Sequence, residues 1–205
     1  MLSVISNFGC DTGCEYCIWK GHKLSGVKTT YENTDWGKLR SLTEKLTEVS
    51  VSGGGDPLFN YEDNRNWWGK LFEICGDTKV ELHTSKIMSN WEHIDKLGRY
   101  VLHIEPNQLD DLSEKIEELS ERVNLRLVFV MNDSMTTDNL MDISRFCSEY
   151  DIELSFRQLV ISGETQYILH DFLKDGHENF WHYIEQCDYN LYYMPDNKIY
   201  DKYQF

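Results

Sequence analysis

Short apolar runs alternate with amphipathic stretches through most of the 205-residue chain, and this alternation limits the possible folds more than any single residue does. The pattern predicts strands at Leu2–Ser6, Val49–Ser52, Lys79–Thr84, Tyr100–Glu105, Asn124–Met131 and Ile152–Val160. Helical periodicity fills the gaps, over about Thr34–Glu48, Asn66–Cys75, Asn90–Leu97, Leu109–Val123 and Thr137–Tyr150. The clearest case spaces Leu109, Leu112, Ile116, Leu119 and Val123 by alternating steps of three and four, which puts them on one helix face. Trp36, Leu39, Leu42 and Leu46 line up similarly behind Asn33 or Thr34 as N-cap. Gly98 is placed to close the third helix, and Pro106 stops the fourth strand. Such succession implies a parallel sheet with right-handed crossovers. Ligands of such sheets bind in loops at the carboxyl ends of the strands.

The first of those ends carries Cys10-Asp11-Thr12-Gly13-Cys14-Glu15-Tyr16-Cys17. Its C-x3-C-x2-C spacing supplies three thiols, one short of a closed tetrahedral site, and no fourth Cys or His follows at zinc-finger spacing. A [4Fe–4S] cluster usually takes four thiolates, so three leave one iron open to a ligand that is not protein. Taken alone, the Cys14/Cys17 pair would also suit zinc or a redox pair, with His22 the nearest further donor. At the end of the second strand stands Ser52-Gly53-Gly54-Gly55-Asp56-Pro57-Leu58. Glycines there let backbone approach a ligand that a Cβ would exclude.

In order and separation these segments resemble the radical S-adenosylmethionine (SAM) superfamily. The resemblance implies that Cys10, Cys14 and Cys17 hold a [4Fe–4S] cluster whose open iron binds the amino and carboxylate groups of SAM. It places Gly54, Gly55 and Asp56 beside the methionine moiety, with Asp56 where the family more often has the longer Glu. Tyr16 would lie beside the adenine, and His103 or Glu105 near the ribose. The implied fold is α/β, a partial (β/α)6 TIM-like barrel over residues 1–160. Residues 161–205 would form a C-terminal extension of a short helix and a β-hairpin, packed on the barrel in a single domain. Six strand–helix units match that expectation and fall short of an eight-stranded barrel.

Strand parity then separates two faces. Leu82, Leu102, Ile104, Leu125, Leu127, Phe129, Leu154 and Phe156 form the apolar, outward set, under the helices. Glu81, His83, Ser85, His103, Glu105, Arg126, Asn132, Glu153, Ser155 and Arg157 take the inward parity. Glu81, Arg126 and Glu153, at strand starts, are expected to serve structural ion pairs. Ser85, Glu105, Asn132 and Arg157, near carboxyl ends, are the ligand candidates, to which the resemblance adds His103.

A formal net charge of −15 argues against general nucleic-acid binding, since a phosphate backbone would be repelled. No apolar run reaches membrane-spanning length, Leu127–Met131 being about the longest, and the start lacks a basic signal region, so a cytoplasmic protein without membrane contact is expected. Leu191–Tyr200 reads as a hairpin around Pro195-Asp196-Asn197, with Asn197 at positive φ. It resembles the hairpin that opens the auxiliary-cluster domain of peptide-modifying radical SAM enzymes, but Asp201 stands where the resemblance implies a cysteine.

The resemblance implies a reaction. A one-electron donor such as a flavodoxin or ferredoxin reduces the cluster, SAM is cleaved to methionine and a 5′-deoxyadenosyl radical, and that radical abstracts hydrogen from the substrate. The substrate stays open among a small polar metabolite or nucleotide, a peptide, and a glycyl-radical enzyme awaiting activation. A non-catalytic Fe–S or zinc protein is the rival class. No catalytic side chain is singled out.

Overall fold

The computed structural model describes residues 1–14, 17, 26–161, 164–185 and 191–201. Tyr16 and Cys187 lie outside the described residues. Along the chain come β1 (Leu2–Ser6), α1 (Trp36–Thr43), β2 (Glu48–Gly53), α2 (Tyr61–Cys75), β3 (Lys79–Thr84) and β4 (Leu97–His103). There follow α3 (Leu109–Ser120), β5 (Leu125–Val130), α4 (Thr137–Glu149), β6 (Glu153–Arg157), β7 (Leu159–Ile161) and β8 (Glu164–Gln166). The chain then forms α5 (His170–Gly176), β9 (His182–Ile184), β10 (Leu191–Tyr193) and β11 (Ile199–Tyr200).

These elements divide into two compact units. The first gathers the described residues of Met1–Lys86, Lys96–Tyr100 and Asp188–Phe205, the second those of Ile87–Asp95 and Val101–Cys187. In the first the strands run β11-β10-β1-β2-β3, then the start of β4. β10, β1, β2 and β3 are parallel, and β11 turns back antiparallel on β10. In the second the end of β4 is followed by β5, β6 and β9, with β5, β6 and β9 parallel. β7 and β8 make a separate antiparallel ribbon. The architecture is α/β with mostly parallel pairing, and among the described residues no barrel closes. β11 and β9 are edges. No helix among the described residues is long and apolar enough to cross a membrane.

Register explains why each strand stays in place. In the first unit Leu2, Val49 and Val80 face the same way, as do Val4, Val51 and Leu82, while Ser3, Ser50 and Glu81 line the opposite face. The hydroxyls of Ser3 and Ser50 meet there at 2.6 Å, so neither polar group is buried unpaired. In the second unit Leu127 pairs with Leu154 and Phe129 with Phe156, leaving Arg126 opposite Glu153 and Val130 opposite Arg157. The eight residues of the expected apolar set are all buried. A one-residue slip would exchange the two faces, so burial fixes the register. The ion pairs expected at strand starts are present: Arg126 donates to Glu153 through Nε at 2.8 Å, and Glu81 pairs with Arg99.

Four expectations change. The helix expected over Asn90–Leu97 is a single 3-10 turn, Ile94–Lys96, and β4 starts three residues early. Gly98 therefore sits inside a strand, where a Cβ would come within 2.8 Å of the Lys79 side chain. Strand six ends at Arg157, because the Gln158 side chain turns aside to bond both the N–H and the C=O of Ile168, sending Leu159–Ile161 into the ribbon. α1 is capped by Asp35, which accepts from the Lys38 N–H at 3.0 Å, and ends by Thr43. α2 begins five residues early, at Tyr61.

The C-terminal hairpin forms as expected, with Asn197 at φ 61°. Its docking was not legible. The Asn197 carboxamide accepts from the Asp35 N–H at 2.8 Å and donates to the Asn33 carbonyl at 2.7 Å, tying the turn to the start of α1.

Candidate active site

The cysteine loop springs from the carboxyl end of β1 and is closed at its neck. Buried Asn7 donates its N–H to Thr29 Oγ1 at 2.8 Å, and the Thr29 N–H returns to the Asn7 carbonyl at 3.0 Å. The Asn7 amide Nδ2 also donates to the Val27 carbonyl at 2.9 Å. Three hydrogen bonds, linking Asn7 to Thr29 and Val27, thus hold entry and exit together. Each is worth about 1 kcal/mol net, and more would be lost if a buried partner were left unmade.

Beyond the neck the loop lies on the glycine segment. The Gly54 N–H donates to the Ser6 carbonyl at 2.8 Å, and the Asp56 N–H to the Gly9 carbonyl at 2.9 Å. Gly9 has φ 110°, and a Cβ there would stand 2.9 Å from the Phe59 ring. A Cβ on Gly55 would come 2.8 Å from the Gly9 carbonyl carbon. The sequence suggested glycine for the approach of a ligand. In the structure, Gly55 is needed for the approach of one piece of chain to another.

Asp56 is buried and turned toward β3. Its carboxylate accepts from the Leu58 N–H at 2.8 Å, the Ser85 N–H at 2.7 Å and the Thr84 hydroxyl, which stands 2.8 and 2.9 Å from the two oxygens. Burial pushes the carboxyl above its usual value, while the three donors act in the opposite sense. Both oxygens are engaged by protein donors that join the ends of β2 and β3. Ser85, an expected ligand, contributes its backbone to this staple.

One residue further, Lys86 reaches back to the cysteine loop. Its ammonium stands 2.7 Å from Asp11 Oδ1 and 2.8 Å from Oδ2, and lies over the Phe59 ring at 5.8 Å from the centroid. The hydrogen bond from Lys86 holds the exposed Asp11 carboxyl below the ordinary carboxylate range. The Lys86 N–H donates to Thr84 Oγ1 at 3.1 Å, and its carbonyl accepts from the Tyr100 hydroxyl. Sequence reasoning passed over Asn7, Thr29, Thr84 and Lys86. The first two carry a faint signal, as hydrogen-bonding residues flanking a cysteine loop just past a strand, whereas Lys86 carries none.

The other candidates belong to the second unit. Half-buried His103 and Arg157 are the last residues of β4 and β6. Glu105 lies beyond β4, where its carboxylate accepts from the Gln108 N–H and its own N–H donates to Gln108 Oε1 at 2.8 Å. Asn132 Oδ1 accepts from the Ser134 N–H at 3.0 Å and hydroxyl at 2.6 Å. Both side chains thus already serve local turns.

The cysteines divide by chemistry. Cys75 and Cys147 are buried, and burial pushes their thiols up to about 12, so they remain protonated. Cys10, Cys14 and Cys17 are half-exposed thiols outside any disulfide among the described residues. The Thr12 N–H donates to Cys10 Sγ at 3.3 Å, and the Cys17 N–H to the Cys14 carbonyl at 3.3 Å. Among the described residues no three His, Cys, Asp or Glu side chains converge on one metal-holding point. The donors still suit a thiolate-ligated cluster: soft, accessible sulfurs on one loop, one already accepting an N–H bond.

No family model matches the chain, and no curated protein matches it. Solved structures do. Streptococcus suis SuiB bound to S-adenosylmethionine superposes with a TM-score of 0.60 at 16% identity, and SuiB alone with 0.61 at 17%. SuiB bound to the precursor peptide SuiA gives 0.64 at 16%. Each match covers 91% of this chain but only 47% to 49% of the SuiB chain, so the chain spans about half the length of the proteins it matches. At such identity the likeness establishes the fold.

Proposed function

We propose that the protein is a radical SAM enzyme acting on a peptide. The reading is carried by one observation. The C-x3-C-x2-C loop and the glycine segment, distant in sequence, are joined through the Gly9 carbonyl and the Asp56 N–H on a fold shared with a protein solved bound to SAM. The SuiA-bound neighbour supports a peptide as substrate. The fold is taken as a partial (β/α)6 barrel over residues 1–160, with 161–205 as its extension.

Cys10, Cys14 and Cys17 would hold a [4Fe–4S] cluster, and the Gly54–Gly55 backbone, with Tyr16, would receive SAM. When bound, the pair supplies one-electron cleavage of the sulfonium and hydrogen abstraction from the substrate. Asp56 and Thr84 hold the glycine turn in place, while Asn7 and Thr29 fix the neck of the cysteine loop. His103, Glu105, Asn132 and Arg157 are proposed as ligand contacts of the second unit. The reading places the protein in the cytoplasm, where thiols stay reduced, served by a flavodoxin- or ferredoxin-type donor.

Anaerobic reconstitution with iron and sulfide, followed by dithionite and SAM, tests this. About four irons per chain and release of 5′-deoxyadenosine are expected, with both lost on changing Cys10, Cys14 or Cys17 to Ala. Retention of stoichiometric zinc with no 5′-deoxyadenosine would overturn it.

A further inference from the structure

Both neighbours of Cys10 in sequence are tethered to the segments that follow β2 and β3. On one side the Gly9 carbonyl accepts from Asp56 at 2.9 Å, and Gly9 itself lies against the Phe59 ring. On the other, Asp11 is gripped by Lys86 at 2.7 and 2.8 Å. Lys86 is in turn fixed at three points, through its N–H to Thr84, its carbonyl to Tyr100, and its ammonium over the same Phe59 ring. Thr84 and Asp56 share a hydrogen bond, which joins the two tethers into one bracket. The thiol between them also accepts an N–H from Thr12.

We propose that Lys86 is a positioning residue, and that through Asp11 it sets Cys10 in place before any cluster arrives. The inference rests on the radical SAM reading for the identity of the cluster. The latch itself is a property of the polypeptide. Lys86 is well suited to the task. Its ammonium lies over the Phe59 face while it grips Asp11, so two partners restrict the same group. The two-oxygen contact fixes direction as well as distance.

Two measurements test the latch, one on loaded protein and one on apo-protein. The first is the rate at which reconstituted protein yields its cluster to a chelator. The second is the alkylation rate of Cys10 in apo-protein, followed by peptide mass spectrometry. Asp11→Asn and Lys86→Met should each raise both rates about fivefold, the scale of one partly exposed ion pair. The exchanged pair Asp11→Lys/Lys86→Asp should return both to within about twofold of wild type. Lys70→Met, which breaks the exposed Lys70–Glu73 pair on α2, should leave both unchanged. Asp11→Asn keeps the ammonium and removes the latch. Should it leave both rates unchanged, Lys86 would act through its charge alone and the proposal would fail. Should wild-type protein hold no cluster, the functional reading would fail while the apo-protein measurement still decided the latch.

Discussion

Replacing Asp56 by Ala should unfold the chain more readily before it does anything else. The truncation strips the acceptor from three donors, the Leu58 N–H, the Ser85 N–H and the Thr84 hydroxyl, at a residue only 4% exposed. A buried donor left unpaired costs about 1–3 kcal/mol. Three would cost roughly 3–9 kcal/mol if they added. Removing the carboxylate also relieves its own desolvation, the influence that raises its proton affinity, and this offsets part of the loss. A net cost of about 3–5 kcal/mol follows, among the larger effects a single change produces. For a chain of this size each kcal/mol moves the melting temperature by about 2–4 °C, so a fall of about 6–20 °C is expected. Asp56→Asn keeps the shape but sets an NH2 against one of the N–H donors, and should cost about 2 kcal/mol. Thermal melts by circular dichroism, beside equilibrium SAM binding on the folded protein, decide the matter. If Asp56→Ala melted within 2 °C of wild type while SAM binding vanished, the carboxylate would be a ligand and the staple argument wrong.

Two further outcomes follow from neighbouring geometry. Gly55→Ala should cost about 1–3 kcal/mol by overpacking, and should weaken cluster retention as well, because the new methyl would push Gly9 and with it the base of the cysteine loop; urea denaturation and iron content measure both. The thiols of Cys75 and Cys147, raised from about 9 to about 12 by burial, favour the folded state below pH 9, and that contribution should be lost as pH rises from 9 toward 12. Alkaline melts of wild type beside a Cys75→Ala/Cys147→Ala variant should show a smaller pH slope in the variant over that window.

The strands were legible because a buried register leaves a mark in composition. Leu154 and Phe156 alternate with Glu153, Ser155 and Arg157, and pair with Leu127 and Phe129 so that all four are buried. α3 was legible for the same reason at helical period. The 3-10 turn before β4 was not, because the glycine taken as a helix stop answers to a neighbouring strand that sequence does not display. The end of β6 was hidden in the same way, since Gln158 finds its partners at Ile168, ten residues on. At the site, the cysteines and glycines announce themselves by type and spacing. What holds them does not: Thr84 and Lys86 act on Asp56 and Asp11 across separations of 28 and 75 residues, through ordinary polar side chains. Type and spacing therefore pointed to the candidate ligands, while the scaffold around them is set by tertiary contacts between distant residues.

The place of β10 beside β1 carries a consequence for how the protein is made. Leu2 is paired with Val49 on one side and with Leu191 on the other. A ribosome adding about 5–20 residues per second reaches Tyr193 roughly 10–40 s after it has finished Ser6. Throughout that interval one edge of the strand that launches the cysteines stands open, and the three thiols emerge on a support that is only half assembled. Nascent chain in this state is a template for wrong strand partners and for adventitious metal. Under the proposed function, the timing favours cluster insertion only once β10 has emerged and paired with β1.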